Sequence, residues 1–277
     1  MHKIEINTDL YMLPECWDEL TLDQLLYLAR LTSTEMPVQE VKVTMMLYCL
    51  HAHIGRHRKV YADRVCLSIS QQSAFRASKK YLLSAEQICS LADLFDFLTN
   101  QYQEGTYVIR PQLTICPIKK LKVGFTRLSL PDEALMSASF DQFTYLQFYQ
   151  SRMREDITYI NHLLAVLFHS EEKFSAENMD KDARLIAKLD PALKTVMYWY
   201  YLGSMEFIGS QFPRVFSGGG SVTGNVFESQ LRLLDSLAKN DMTKKPAVRE
   251  GLLYDALMTM DESIRMQEER TEYLANK

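Results

Sequence analysis

Residues 140–168, FDQFTYLQFYQSRMREDITYINHLLAVLF, decide the fold class. Apolar side chains fall at Phe143, Leu146, Tyr149, Met153, Ile157, Ile160, Leu164 and Leu167, a spacing of three and four that predicts one long amphipathic helix. Working outward toward higher numbers, the same criterion predicts helices over 179–189, 191–212, 226–238 and 246–273. Prolines or the run Gly218-Gly219-Gly220 border the last three, and that glycine run is the best internal loop candidate.

Working toward lower numbers, two helix starts are written as capping boxes. In Thr21-Leu22-Asp23-Gln24 and Ser84-Ala85-Glu86-Gln87 the hydroxyl can accept from the amide three residues on while the glutamine reaches back. The first box introduces Leu22, Leu25, Leu26, Ala29 and Leu31, and the second Ile88, Leu91, Leu94, Phe95 and Leu98, a helix expected to end before Gly105. Between them, Pro37 opens a helix with core candidates Val41, Met45, Leu47 or Tyr48, and Ile54, ending near Gly55. Lys3 to Ile6 reads as a short extended start. From Thr106 to Leu130 the runs Tyr107-Val108-Ile109, Leu113-Thr114-Ile115 and Val123-Gly124-Phe125, broken by Pro111 and Pro117, predict two or three short strands.

The expected architecture is therefore mainly α: two helical lobes, 1–130 and 131–277, with a small β element at about residues 106–126 between them. Trp17-Asp18-Glu19-Leu20-Thr21-Leu22-Asp23-Gln24 and Phe140-Asp141-Gln142-Phe143-Thr144-Tyr145-Leu146-Gln147 align in register, as two capped helix starts would in a duplicated chain.

Composition narrows the function classes. The 277 residues are 47% hydrophobic and 24% charged, a globular balance, and the net charge of -4 gives no general attraction to phosphate backbones or anionic membranes. The opening MHKIEINTDLYMLPE has no uninterrupted apolar core of a signal peptide, and no stretch reaches the roughly 18 apolar residues that span a bilayer. Cys16, Cys49, Cys66, Cys89 and Cys116 are odd in number and widely spaced, which fits reduced thiols in a cytoplasmic setting.

The sharpest chemical cluster is Cys49-Leu50-His51-Ala52-His53-Ile54-Gly55-Arg56-His57, whose ligand types suit zinc. On a helix, however, His51 and His53 point about 200° apart, so a shared metal requires an extended segment. The alternative is a positively charged helix end. His162 and His169 are seven positions apart, about 10 Å along a helix, with Ala165 and Val166 between them. The loop Gly218 to Gly224 lacks the Gly-Lys-Ser/Thr ending of a P-loop, and no nucleophile elbow, zinc-protease helix or kinase signature occurs. Short basic runs lie at His51 to Arg64 and Lys119-Lys120-Leu121-Lys122. Tyr198-Trp199-Tyr200-Tyr201 reads either as core or as an interface hot spot. The last helix carries Leu252, Leu253, Ala256, Leu257, Met260 and Ile264 before a polar end, Arg265 to Glu272.

The run Leu13-Pro14-Glu15-Cys16-Trp17-Asp18-Glu19-Leu20-Thr21-Leu22-Asp23-Gln24 resembles the opening of small helical proteins of tailed bacteriophages and prophages, including tail-assembly chaperones. The resemblance implies a non-enzymatic cytoplasmic or virion-associated protein that binds a tape-measure protein or another tail component, without cofactor. This chain departs from them in its length and in the strand-prone 106–130 region. The expected function is protein interaction, with Trp17, Trp199, Tyr200, Leu253 and Leu257 as partner-binding candidates and no catalytic or cofactor residues. A metal-dependent enzyme using His51, His53 and His57, or a nucleic-acid binder using the basic runs, are the alternatives.

Overall fold

Asn7, at φ 58, turns strand β1 (His2–Ile6) back into β2 (Asp9–Leu13), so the extended start is one arm of an antiparallel hairpin. Asparagine tolerates this left-handed conformation better than most side chains. The computed structural model describes residues 1–55, 64–70, 78–101, 107–216, 226–275 and 277, without the side chains of 78 and 226–231. Packing divides the chain into two units, Met1–Leu113 and Thr114–Lys277.

In the first unit, Trp17 sits in a 3-10 turn, Trp17–Glu19, and its indole Nε1 donates to the Phe97 carbonyl at 3.0 Å. Helix α1 (Leu22–Thr32) then starts at the complete Thr21–Gln24 capping box. Helix α2 (Val38–Cys49) packs alongside, with Tyr27 and Tyr48 stacked at 3.9 Å. It stops short of the expected end near Gly55, because His51 takes up φ 50 and the chain continues as strand β3 (Ala52–Gly55). β3, β4 (Arg64–Ser70) and β5 (Ser78–Ser84) form an antiparallel sheet with β4 in the middle. The Ser84–Gln87 box opens α3 (Ala85–Asp93), a 3-10 turn covers Asp96–Leu98, and β6 (Thr99–Gln101) pairs with β7 (Tyr107–Ile109). Asp9 ties the first hairpin to the sheet. Its carboxylate accepts from Lys79 and, at 2.6 Å, from Tyr81, and these bonds hold its pKa below the usual carboxylate range.

The second unit begins with the hairpin β8 (Leu121–Val123) and β9 (Thr126–Leu128) and is otherwise helical. Its helices are α4 (Phe140–Arg152), α5 (Ile160–Leu167), α6 (Met179–Ile186), α7 (Pro191–Gln211), α8 (Pro213–Phe216), α9 (Val226–Leu237), α10 (Lys245–Glu250) and α11 (Leu253–Ala275). The core gathers Phe140, Leu146, Leu163, Leu164, Val166, Phe168, Val196, Met197 and Ile208, all buried. Each such side chain contributes roughly 1.5–3 kcal/mol relative to exposure. Two expected helices are broken. The 140–168 stretch ends as α4 at Arg152 and resumes after Asp156 caps the Thr158 amide at 2.8 Å, leaving Ile157 exposed. The 246–273 stretch breaks at Gly251, where φ -63 and ψ 155 leave the helical region.

The expected fold class is overturned. The described residues hold nine strands in four small antiparallel sheets alongside eleven α-helices, so the chain is mixed α and β rather than two helical lobes with one β element. Seven of those strands lie in the first unit. The reason is local. β4 buries Cys66, Leu67, Ser68 and Ile69 in succession, so it lacks the alternation that marks a half-exposed strand. The aligned segments at 17 and 140 also differ. Thr21 caps α1, whereas Thr144 lies inside α4 and donates to the Asp141 carbonyl at 2.7 Å. The cap of α4 is Ser139, in a box with Gln142, rather than Thr144.

Candidate functional site

The five residues expected to meet a partner all face inward. Trp17 is 1% exposed, Trp199 6%, and Tyr200, Leu253 and Leu257 are completely buried. These side chains are core: α7 is enclosed on most of its faces, and Leu253 and Leu257 form the inner stripe of α11. Tyr200 also closes a strained turn. Ala134 and Leu135 have φ 47 and 61, and Tyr200 donates to the Asp132 carbonyl and accepts from the Leu135 amide at 3.3 Å.

The imidazole cluster is only partly described. His51 occupies the turn after α2 and His53 lies in β3 opposite Ser68, both exposed, while His57 lies outside the described residues. The segment is extended rather than helical, which changes the geometry that the sequence suggested. Among the described residues no group of three or more His, Cys, Asp or Glu side chains is placed to hold a metal ion. Burial pushes the Cys49 thiol up to about 12 and the Cys116 thiol up to about 11, so neither supplies a thiolate near neutral pH. The Gly218 to Gly224 loop and the Arg56 to Asp63 part of the basic run lie outside the described residues.

A cleft of about 1080 Å3 opens in the second unit, lined among others by Asp132, Ser139, Asp141, Gln142, His169 and Arg249. Three of its polar side chains are engaged by the fold. Ser139 and Gln142 form the α4 capping box, Gln142 Nε2 donates to the Val166 carbonyl at 3.2 Å, and His169 Nδ1 lies 2.8 Å from the Glu171 carbonyl. Burial raises the Asp141 carboxyl above its usual range, and the charge of Arg249 offsets part of that. His162 is not on this wall. It stacks on Tyr149 at 5.1 Å and reaches Asp180 at 3.4 Å.

Helix α11 carries four of the exposed apolar side chains, Met258, Met266, Tyr273 and Leu274. Every described residue from 265 to 275 is exposed, including Met266, Tyr273 and Leu274, and Arg214 in α8 reaches this segment through Asp261 at 3.4 Å and Glu268 at 3.3 Å. At about 100° per residue, Met258, Glu262, Met266, Glu269 and Tyr273 share one sector about 80° wide. Apolar and acidic side chains alternate along that stripe. The sequence marked α11 as amphipathic with a polar end, Arg265 to Glu272, that projects outward and could meet a partner, while its named candidates Leu253 and Leu257 lie on the inner face. The outer stripe was hidden because its spacing also carries glutamates.

No helix among the described residues is long and apolar enough to cross a membrane. No protein family, curated protein or solved structure matches the chain.

Proposed function

We propose that this chain is a non-enzymatic protein-interaction component that docks through the outer stripe of α11. The observation that carries the reading is the exposure of α11 beyond Ile264, where eleven successive helical residues hold Met266, Tyr273 and Leu274 out in water. Three turns of helix without a packed face are marginal in isolation, so a partner that covers the stripe stabilises both itself and the helix. Methionine and tyrosine suit such a surface, since both present large adaptable or amphipathic area at modest entropic cost.

The finer reading, assembly of a phage-type tail with a long helical partner such as a tape-measure protein, rests on the resemblance of residues 13–24. Within this chain those residues build the first unit: Trp17 is a core residue and Thr21 a helix cap. The docking surface of this reading is therefore α11 and not the segment that carries the resemblance.

The test compares the full chain with one ending at Ile264, each tagged and recovered from its producing cells. A protein retained stoichiometrically by the full chain and lost by the shortened one supports the reading. Equal recovery of the same proteins by both would sink it.

A further inference from the structure

The most exposed aromatic residue among the described residues of the second unit is Phe125, which is 102% exposed. It lies at the tip of the β8–β9 hairpin, after Gly124 at φ +60, in the two-residue glycine-first turn that suits a tight hairpin. Leu121 and Leu128 root the hairpin in the unit's interior, so its position is fixed by burial. Behind the tip, Lys122 and Arg127 are direct cross-strand partners and both are exposed. Like charges in that relationship oppose strand pairing. No ion pair or hydrogen bond joins Lys119, Lys120, Lys122 or Arg127 to a side-chain partner among the described residues. From Arg110 to Leu130 the chain has five cations and no carboxylate, although its net charge is -4. An aromatic tip with a cationic collar is thus presented by a chain that carries a net negative charge.

The outer stripe of α11 has the complementary pattern. Its apolar residues Met258, Met266 and Tyr273 alternate with Glu262 and Glu269, which sit about 10 Å apart along the axis. Arg265 touches both carboxylates, at 2.6 Å and 3.5 Å, but as an exposed i,i+3 and i,i+4 contact it leaves them accessible. The long side chains of Lys122 and Arg127 can splay across that 10 Å on either side of a ring seated near Met266.

We propose that the β8–β9 hairpin of one copy docks on the α11 stripe of a second copy, with Phe125 on Met266 and with Lys122 and Arg127 against Glu262 and Glu269 on either side. Hairpin and stripe are different surfaces of the same unit, so the contact is head-to-tail. Each added copy presents a fresh hairpin and a fresh stripe, and association proceeds to a ring or a filament. The inference rests on the reading of α11 as a docking helix and names the partner as this chain itself.

Sedimentation of the full-length protein across a concentration series tests it. The wild type is expected to associate beyond the monomer, less so in high salt. Phe125→Ser is expected to weaken association by about tenfold or more. Lys122→Glu with Arg127→Glu, and separately Glu262→Lys with Glu269→Lys, are each expected to give monomers. Mixing those two variants is expected to restore association at equal stoichiometry, because the intact stripe of the first meets the intact hairpin of the second and the reversed hairpin of the first meets the reversed stripe of the second. A wild type that stays monomeric, reversal variants that associate like the wild type, or a mixture that stays unpaired would each overturn the proposal. So would a monomer whose Lys122 and Arg127 instead bind phosphatidylserine vesicles or single-stranded DNA. If the wild type is monomeric yet loses a retained protein on truncation at Ile264, this inference fails and the docking role of α11 stands; if truncation also changes nothing, both fail.

Discussion

The hydroxyl of Tyr254 donates to the carbonyl of Ala134 at 2.9 Å, joining α11 to a turn 120 residues earlier in the chain. Ala134 and its neighbour Leu135 are buried and both lie in the left-handed region, which costs a side-chain-bearing residue roughly 1–2 kcal/mol. Buried carbonyls in such a turn need donors. Tyr254 serves Ala134, and Tyr200 serves Asp132. Tyr200→Phe and Tyr254→Phe should each lower unfolding free energy by about 1–3 kcal/mol in urea titrations. Ala134→Gly should change it by under about 1 kcal/mol in the stabilising direction, as relief of strain outweighs the extra freedom of the unfolded chain.

Trp17 fills the first unit and donates to the Phe97 carbonyl. Trp17→Ala is expected to cost about 3–5 kcal/mol. A loss of binding with unchanged stability would mean that the indole faces a partner rather than the core.

Lys42 is buried, and its ammonium has Asp96 at 2.5 Å and the Tyr107 ring at 5.4 Å. Removing only the acid strands a buried charge, whereas replacing the lysine removes the charge and keeps the apolar stem. Asp96→Ala should therefore destabilise more than Lys42→Met, and combining the two should recover most of the difference. Equal losses from the two single changes would refute this.

His169 is buried, and burial lowers its pKa, with Glu171 and Asp182 acting in the opposite direction. The unfolded chain then takes up the proton first. Stability should be full above the unfolded value of about 6.5, decline as pH falls through it toward the folded value, and level off below. Denaturation midpoints measured from pH 8 to pH 5 should show this fall, and His169→Gln should flatten it.

The helix starts at Thr21 and Ser84 were legible because a capping box is a contact between residues three apart. The start of α4 falls at Phe140, where the sequence placed it, but its cap was misread: Thr144-x-x-Gln147 matches the pattern, whereas Ser139 and Gln142 form the box. Spacing likewise placed Ile157 on a buried face, yet Asp156 caps a new turn there and leaves the isoleucine exposed. Lys119 to Lys122 was visible as a basic run, but not as the collar of an aromatic tip, since that depends on which residues pair across the hairpin.

What the sequence by itself determined is the set of local starts and stops, the helical character of α4 to α7 and α11, and the acidic balance of the chain. Tertiary structure decided which apolar faces are used. Trp199 and Phe125 are equally aromatic on paper, but one is sealed within α7 and the other stands in solvent. It also decided the strands, because β3, β4 and β5 are held by hydrogen bonds to one another and not to their own neighbours in sequence. A helix closes its bonds within a few residues and so announces itself locally, whereas a sheet and a docking face exist only when distant segments meet.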